Sequence, residues 1–210
     1  MSSVTTSTAP PLFGVPISVK EAVAVKGCYS TGGLACRLNK RMENDSLPVE
    51  LMRKAGAIPI CTGNTIQIMM LSESYNRIWG RSKNPWDLSR TPGGSTGGDA
   101  ALVAMGCVPL ALASDVAGSI RIPACFTGIV GFKPTSTRMS MKGCMKPRKV
   151  SGQKCAVPCV LVVFLALLTD GLTGWLRLQT PYRTINKAQP LRYLPQSVLW
   201  PERWMIVFSL

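Results

Sequence analysis

Apolar positions fall in short runs parted by glycine, proline and polar stretches, and those runs predict an alternation of strands and helices. Residues 14–25 read as a proline-containing turn feeding a short β-rich strand, with Lys20 near its end. Residues 47–56 have the spacing of a short amphipathic helix, with Ser46 placed as N-cap, Pro48 in the first turn and Gly56 as C-cap. Residues 57–61 follow as a buried strand. Residues 76–92 are polar and turn-rich, broken at Asn84-Pro85 and Thr91-Pro92, and they lead into a glycine loop. Residues 98–105 then predict a helix and residues 108–113 an apolar strand. Helix and strand taken in turn point to an α/β fold. Beyond about Met145 the pattern changes to a basic linker, an apolar run and proline-broken pieces, with no further alternation legible.

Length and composition agree with a folded core. The 210 residues are 46% apolar and 16% charged, which suits a globular chain rather than a disordered one. A net charge of +14 would ordinarily suggest nucleic acid, but its distribution does not. Residues 1–135 hold 13 basic and 8 acidic side chains (+5), and residues 136–210 hold 11 and 2 (+9), so the excess sits in the tail. No RNP-type aromatic motif, zinc-finger spacing or basic helix accompanies it, and no nucleic-acid partner is expected. The eight cysteines are thinly spread and several lie in apolar runs, which predicts reduced, buried thiols. Cys155 and Cys159 form a CxxxC pair in a chain with no histidine, so no metal is expected. The first residues lack a basic stretch followed by an apolar one, and an intracellular, non-secreted chain is expected. The longest apolar run, residues 156–168, contains Pro158 and is too short to span a bilayer; it reads as a buried helix or an interfacial segment.

Candidate chemistry centres on two serines in glycine-lined turns, within Gly93-Gly-Ser-Thr-Gly-Gly98 and Ser114-Asp-Val-Ala-Gly-Ser-Ile-Arg-Ile-Pro-Ala124. Without histidine, a serine nucleophile needs another base, and Lys20 is the nominee. It stands 75 residues before Ser95, which stands 24 before Ser119. Lysine is a base only when neutral, and burial favours that form. Glu21 could instead pair with its charge. The glycine loop alone is also compatible with a flexible linker or a phosphate cradle, although it lacks a Walker ending or a dinucleotide fingerprint, and no cofactor is called for. Backbone N–H groups beside Ser119 could converge on one point, as in an oxyanion hole.

These segments, with Gly14-Val-Pro-Ile-Ser-Val-Lys-Glu21, Gly128-Ile-Val-Gly-Phe-Lys-Pro-Thr135, Ser30-Thr-Gly-Gly33, Asn84-Pro-Trp86 and Arg138-Met-Ser-Met-Lys-Gly-Cys144, resemble the amidase signature family, in particular its fatty acid amide hydrolase branch. The resemblance implies a partial amidase-signature α/β fold with a mixed β-sheet flanked by helices. It implies a Ser-Ser-Lys triad: Lys20 as base, Ser95 as the bridging serine and Ser119 as the nucleophile. The backbone of Val116, Ala117, Gly118 and Ser119 would form the oxyanion hole, and Met69 would line the substrate site unless it is a plain core methionine. The implied substrate is a long-chain fatty acid amide, with peripheral association to an internal membrane and a homodimer as further implications. The alternatives are a small-amide amidase, a non-catalytic remnant of the fold, or a transamidase subunit that uses glutamine. Ala117 stands where glycine is usual in the family, and Thr96 where a second serine is common. The likeness runs from about Leu12 to Cys144 and fades over residues 152–175. Because family members are longer, residues 1–145 are expected to be the catalytic region, part of a larger fold, with residues 146–210 a divergent basic and apolar tail for which poor folding is one alternative.

Overall fold

A computed structural model describes residues 9–135 and 138–145, together with the backbone of 159–160, 164–165 and 205–207. Its centre is strand β1 (Pro16–Lys20), paired in parallel with β2 (Ile58–Gly63) on one side and β5 (Leu110–Leu112) on the other. Alternation along β1 sends Ile17 and Val19 to one face of this sheet and Ser18 and Lys20 to the other. Ile17 and Val19 are fully buried and pack with Val49, Met52 and Leu112. Helix α1 (Leu47–Lys54) therefore covers that face. The opposite face is covered by α2 (Gly97–Ala104) and α3 (Arg121–Thr127); Ala100 and Val103 of α2, Ala124 of α3 and its N-cap Ile120 pack with Ala111 and Ala113. Sheet between helix layers is the α/β arrangement that the alternation predicts.

Short antiparallel pairings complete the described backbone. Strands β3 (Tyr75–Asn76) and β4 (Gly80–Arg81) form a hairpin. Strand β6 (Ser114–Asp115) pairs with β8 (Cys159–Val160), and β7 (Val130–Lys133) lies between β9 (Phe164–Leu165) and β10 (Met205–Val207). Parallel and antiparallel ladders thus coexist among the described strands, the parallel ones in the β2-β1-β5 sheet and the antiparallel ones in the other sheets.

Several expectations need correction. Ser46 has the extended backbone of an N-cap, but its hydroxyl makes no hydrogen bond; only its carbonyl serves the helix, accepting from the Glu50 N–H at 3.0 Å. Strand β2 is not buried on both faces: Ile58 and Ile60 are 50% and 55% exposed, because β2 is the outer strand of its sheet. The described cysteines, Cys28, Cys36, Cys61, Cys107, Cys125 and Cys144, are free thiols as expected, yet none is fully buried, and Cys36, Cys107 and Cys125 are exposed. Within the apolar run 156–168 the described backbone is strand, β8 and β9, rather than helix. The rest of that run, Cys155, and most of the tail expected from residue 146 lie outside the described residues. Among the described residues no helix is long and apolar enough to cross a membrane.

Candidate active site

Lys20 ends β1 with its side chain on the α2 face of the sheet and no exposure to solvent. Its Nζ donates to Ser95 Oγ at 2.7 Å and to the Ser114 carbonyl at 3.3 Å. Ser95 Oγ donates in turn to Ser119 Oγ at 2.9 Å. Three segments far apart in sequence are thereby joined in one hydrogen-bonded line. Glu21, one residue on, points away and is committed elsewhere: its carboxylate accepts from the Thr31 N–H and hydroxyl, both at 2.6 Å, and from the Gly32 N–H at 2.7 Å. Strand alternation separates the two neighbours, so Glu21 does not hold the Lys20 charge.

The glycine loop is neither a linker nor a phosphate cradle. It is packed backbone to backbone on residues 64–74: a Cβ added at Gly94 would collide with the Glu73 main chain, and one at Gly98 with that of Asn64. Its polar groups are spent inside the protein. Thr65 Oγ1 donates to the Ser95 carbonyl at 2.6 Å, the Gly97 N–H donates to Ser74 Oγ at 2.8 Å, and the Gly98 N–H donates to the Asn64 carbonyl at 3.1 Å. The Thr96 N–H donates to the Ser119 carbonyl at 3.2 Å, which ties the two serine loops together directly.

The second loop is shaped by a residue to which the sequence reading gave no role. Asp115, fully buried, accepts from the N–H groups of Gly118 (2.7 Å), Ile120 (3.1 Å) and Arg121 (3.3 Å), and from Arg121 Nε and Nη2 (both 2.9 Å). Gly118 takes the left-handed backbone of this turn, at φ 117°, whereas Ala117 does not lie at positive φ. An alanine in place of the family's usual glycine therefore costs nothing there. The Gly118 N–H is held by Asp115 and is removed from the four expected oxyanion donors. Among the described residues, the N–H groups of Val116, Ala117 and Ser119 have no acceptor.

Charge in the site follows from burial. Desolvation of Lys20 lowers its pKa to about 8, against the opposing pull of the carboxylates of Asp99 and Asp115. Desolvation likewise works against ionisation of Asp115, but the Arg121 hydrogen bonds and charge outweigh it and keep that carboxyl below the usual range. Near pH 8 the line of amine and two hydroxyls can run in either direction. With Lys20 charged it donates toward Ser119; with Lys20 neutral it can accept the Ser119 proton through Ser95.

A cavity of about 170 Å³ opens onto this line. Lys20, Ser95, Ser114 and Ser119 form its polar wall, and Ile68, Met69, Met70, Leu71, Ile122 and Met141 are among its apolar lining. Met69 is thus a wall of the cavity, not a plain core methionine. Ile68 and Met69 have left-handed backbone, φ 52° and 59°, which is costly for the β-branched Ile68; their N–H groups donate to the carbonyls of Gly32 at 2.8 Å and Ile66 at 3.0 Å. Val116, half exposed, stands at the mouth.

Comparison with known proteins gives a consistent result. A family model described as Amidase matches residues 2–176. Fatty-acid amide hydrolase 1 of Sus scrofa is 43% identical over 132 residues, covering 63% of this chain and 23% of that protein. A glutamyl-tRNA(Gln) amidotransferase subunit of Geobacillus stearothermophilus is 46% identical over 133 residues, covering 63% of this chain and 27% of that protein. Among solved structures, a glutamyl-tRNA(Gln) amidotransferase subunit of Thermotoga maritima matches with a TM-score of 0.65 at 29% identity, over 78% of this chain and 35% of that one. The chain spans about a quarter of the length of these curated relatives.

Proposed function

The chain belongs to the amidase family, and from that premise we propose that it hydrolyses a carboxylic amide through an acyl-enzyme formed on Ser119. Ser119 Oγ attacks the carbonyl carbon while its proton passes to Ser95 Oγ, and the Ser95 proton passes to neutral Lys20. The oxyanion of the tetrahedral adduct is received by backbone N–H groups of Val116, Ala117 and Ser119. On collapse the Lys20 ammonium returns its proton to Ser95, Ser95 delivers one to the departing nitrogen, and the C–N bond breaks. Water then repeats the sequence on the ester, releasing a carboxylic acid and restoring Ser119. The observation that carries this reading is the line Lys20 Nζ, Ser95 Oγ, Ser119 Oγ, at 2.7 and 2.9 Å.

Within that class we favour a long-chain fatty acid amide. Apart from Lys20 and serines, the described cavity lining is apolar and includes no acidic side chain that would pair with the α-ammonium of glutamine. Ile68, Met70 and Leu71 are about half exposed or more at this rim, which suits a lipid-like substrate and peripheral docking on an internal membrane. A glutamine-directed transamidase is the second reading, and the Geobacillus stearothermophilus relative favours it at similar identity. Labelling by a fluorophosphonate probe, with competition, separates the two. We expect labelling that is abolished in Ser119→Ala and suppressed by oleoyl amide but not by glutamine. Suppression by glutamine alone would favour the second reading, and labelling that persists in Ser119→Ala would overturn the assignment.

A further inference from the structure

Asp99 is a buried carboxylate that the mechanism above leaves unused. It lies in the first turn of α2, has no exposure to solvent, and neither oxygen has a hydrogen-bond partner among the described residues. Its seat is made by a missing side chain. Gly63 pairs with Lys20 in the β1/β2 register, so both residues present the same face of the sheet to α2. A Cβ on Gly63 would overlap the Asp99 carboxyl group. Ser18, two residues before Lys20 on that face, is also buried with an unpartnered hydroxyl. Its nearness favours the ionised carboxylate, although the geometry falls short of a hydrogen bond.

Burying a carboxylate without donors is costly, and an opposite charge close by is what repays it. Resting on the hydrolase reading of this site, we infer that Asp99 is a positioning residue that acts through Lys20, supplying the counter-charge against which the amine takes up and releases the proton of each half-reaction. Burial raises the Asp99 pKa to about 7, while the Lys20 charge acts in the opposite direction. Asp99 in turn favours the ammonium form of Lys20. Each member of the pair thus favours the charged form of the other. The other titratable groups facing it are few. Asp115 from β6 acts on Lys20 but is committed to Arg121 of α3; Cys61 from β2 feels the Asp99 charge; β5 contributes no titratable side chain.

The sign follows directly. Asp99→Asn removes a negative charge that favours the ammonium, so Lys20 loses its proton at lower pH. The acid limb of Ser119 labelling by a fluorophosphonate then moves down by roughly one pH unit or more. A merely structural role would lower the rate at all pH values and leave the limb in place. NMR titration of the chain labelled at lysine Cε and aspartate Cγ reads the coupling apart from activity. The expected result is a lower Lys20 midpoint in Asp99→Asn and a higher Asp99 midpoint in Lys20→Met, by matching amounts. The second variant reads the pair even if the first does not fold. An Asp99 midpoint unchanged in Lys20→Met, or a labelling limb unchanged in Asp99→Asn, overturns the inference. Absence of wild-type labelling at every pH counts against the hydrolase reading instead, and the two NMR titrations still decide the pairing.

Discussion

Asp115→Asn perturbs the second serine loop with almost no change of volume. The carboxylate takes five hydrogen bonds: Oδ1 from the Gly118 N–H and Arg121 Nη2, and Oδ2 from the Ile120 and Arg121 N–H groups and Arg121 Nε. An amide has one acceptor oxygen. Its better orientation places that oxygen at the Oδ2 site and sets NH2 against the Gly118 N–H and the guanidinium. One buried N–H is then left unsatisfied, at about 1–3 kcal/mol. A buried ion pair is also broken, for which about 3–5 kcal/mol is typical. The Arg121 side chain keeps 24% exposure and can regain water, so the two effects together are expected near the lower end, about 4 kcal/mol. Against a domain stability of about 5–15 kcal/mol this is a large fraction. Urea unfolding should show it as a lower midpoint at constant slope. The pH dependence adds a signature. Asp115 is held below its ordinary pKa in the folded chain, so its contribution is present above the unfolded value of about 3.9 and is lost as pH falls through the folded one. The variant should therefore lose the acid-side slope that Asp115 supplies. Because Gly118 would no longer be fixed, Ser119 labelling should slow as well. A stability loss under about 1 kcal/mol with labelling intact would refute the role given to this carboxylate.

Three further outcomes are expected. Ser95→Ala interrupts the line between Lys20 and Ser119 and should slow labelling of Ser119 by about 10² to 10⁴-fold with the urea midpoint little changed; near-normal labelling would remove Ser95 from the relay. Gly98→Ala sets a Cβ against the Asn64 backbone and should cost about 1–3 kcal/mol or prevent folding, read by circular dichroism on heating, whereas wild-type stability would show that the loop has room to move. Ala117→Gly should change the labelling rate less than about twofold, because Ala117 carries no left-handed strain to relieve; a large gain in labelling would mean that the turn does need glycine there.

The three strands of the central sheet and helices α1 and α2 were legible because their cause is local; α3, the β3–β4 hairpin and the other short strands were not. The apolar alternation of Ile17 and Val19 and the proline at position 16 mark β1, and α1 runs from Pro48's turn to a C-cap at Ala55, one residue before the Gly56 expected there, which takes the left-handed backbone at φ 96°. The two serines stood out through their glycine-rich turns, and Lys20 through the absence of histidine and its apolar strand, helped by a family resemblance. What could not be read depends on distant partners. Glu21 and Lys20 are adjacent in sequence, and only the pleat of β1 sends one to Thr31 and the other to Ser95. Asp99 reads as an ordinary first-turn acid of a helix until Gly63, 36 positions earlier, is seen to make its seat. Asp115 had a faint local signal, a short acidic side chain three residues before a glycine, as in turns closed by Asp, but its ion pair with Arg121 needs the fold of the loop. The exposed face of β2 was missed because an apolar run of five residues does not reveal whether its strand is central or outermost.

The account rests on Lys20 acting as a neutral base on Ser119 through Ser95, and the rate of fluorophosphonate labelling at Ser119 against pH, with the adduct located by peptide mass spectrometry, tests it most directly. The adduct is expected on Ser119, with a rate that rises with pH and reaches half its maximum near the Lys20 pKa of about 8. An adduct on another residue, or a rate that does not change between about pH 6 and 10 while the chain stays folded, would contradict it.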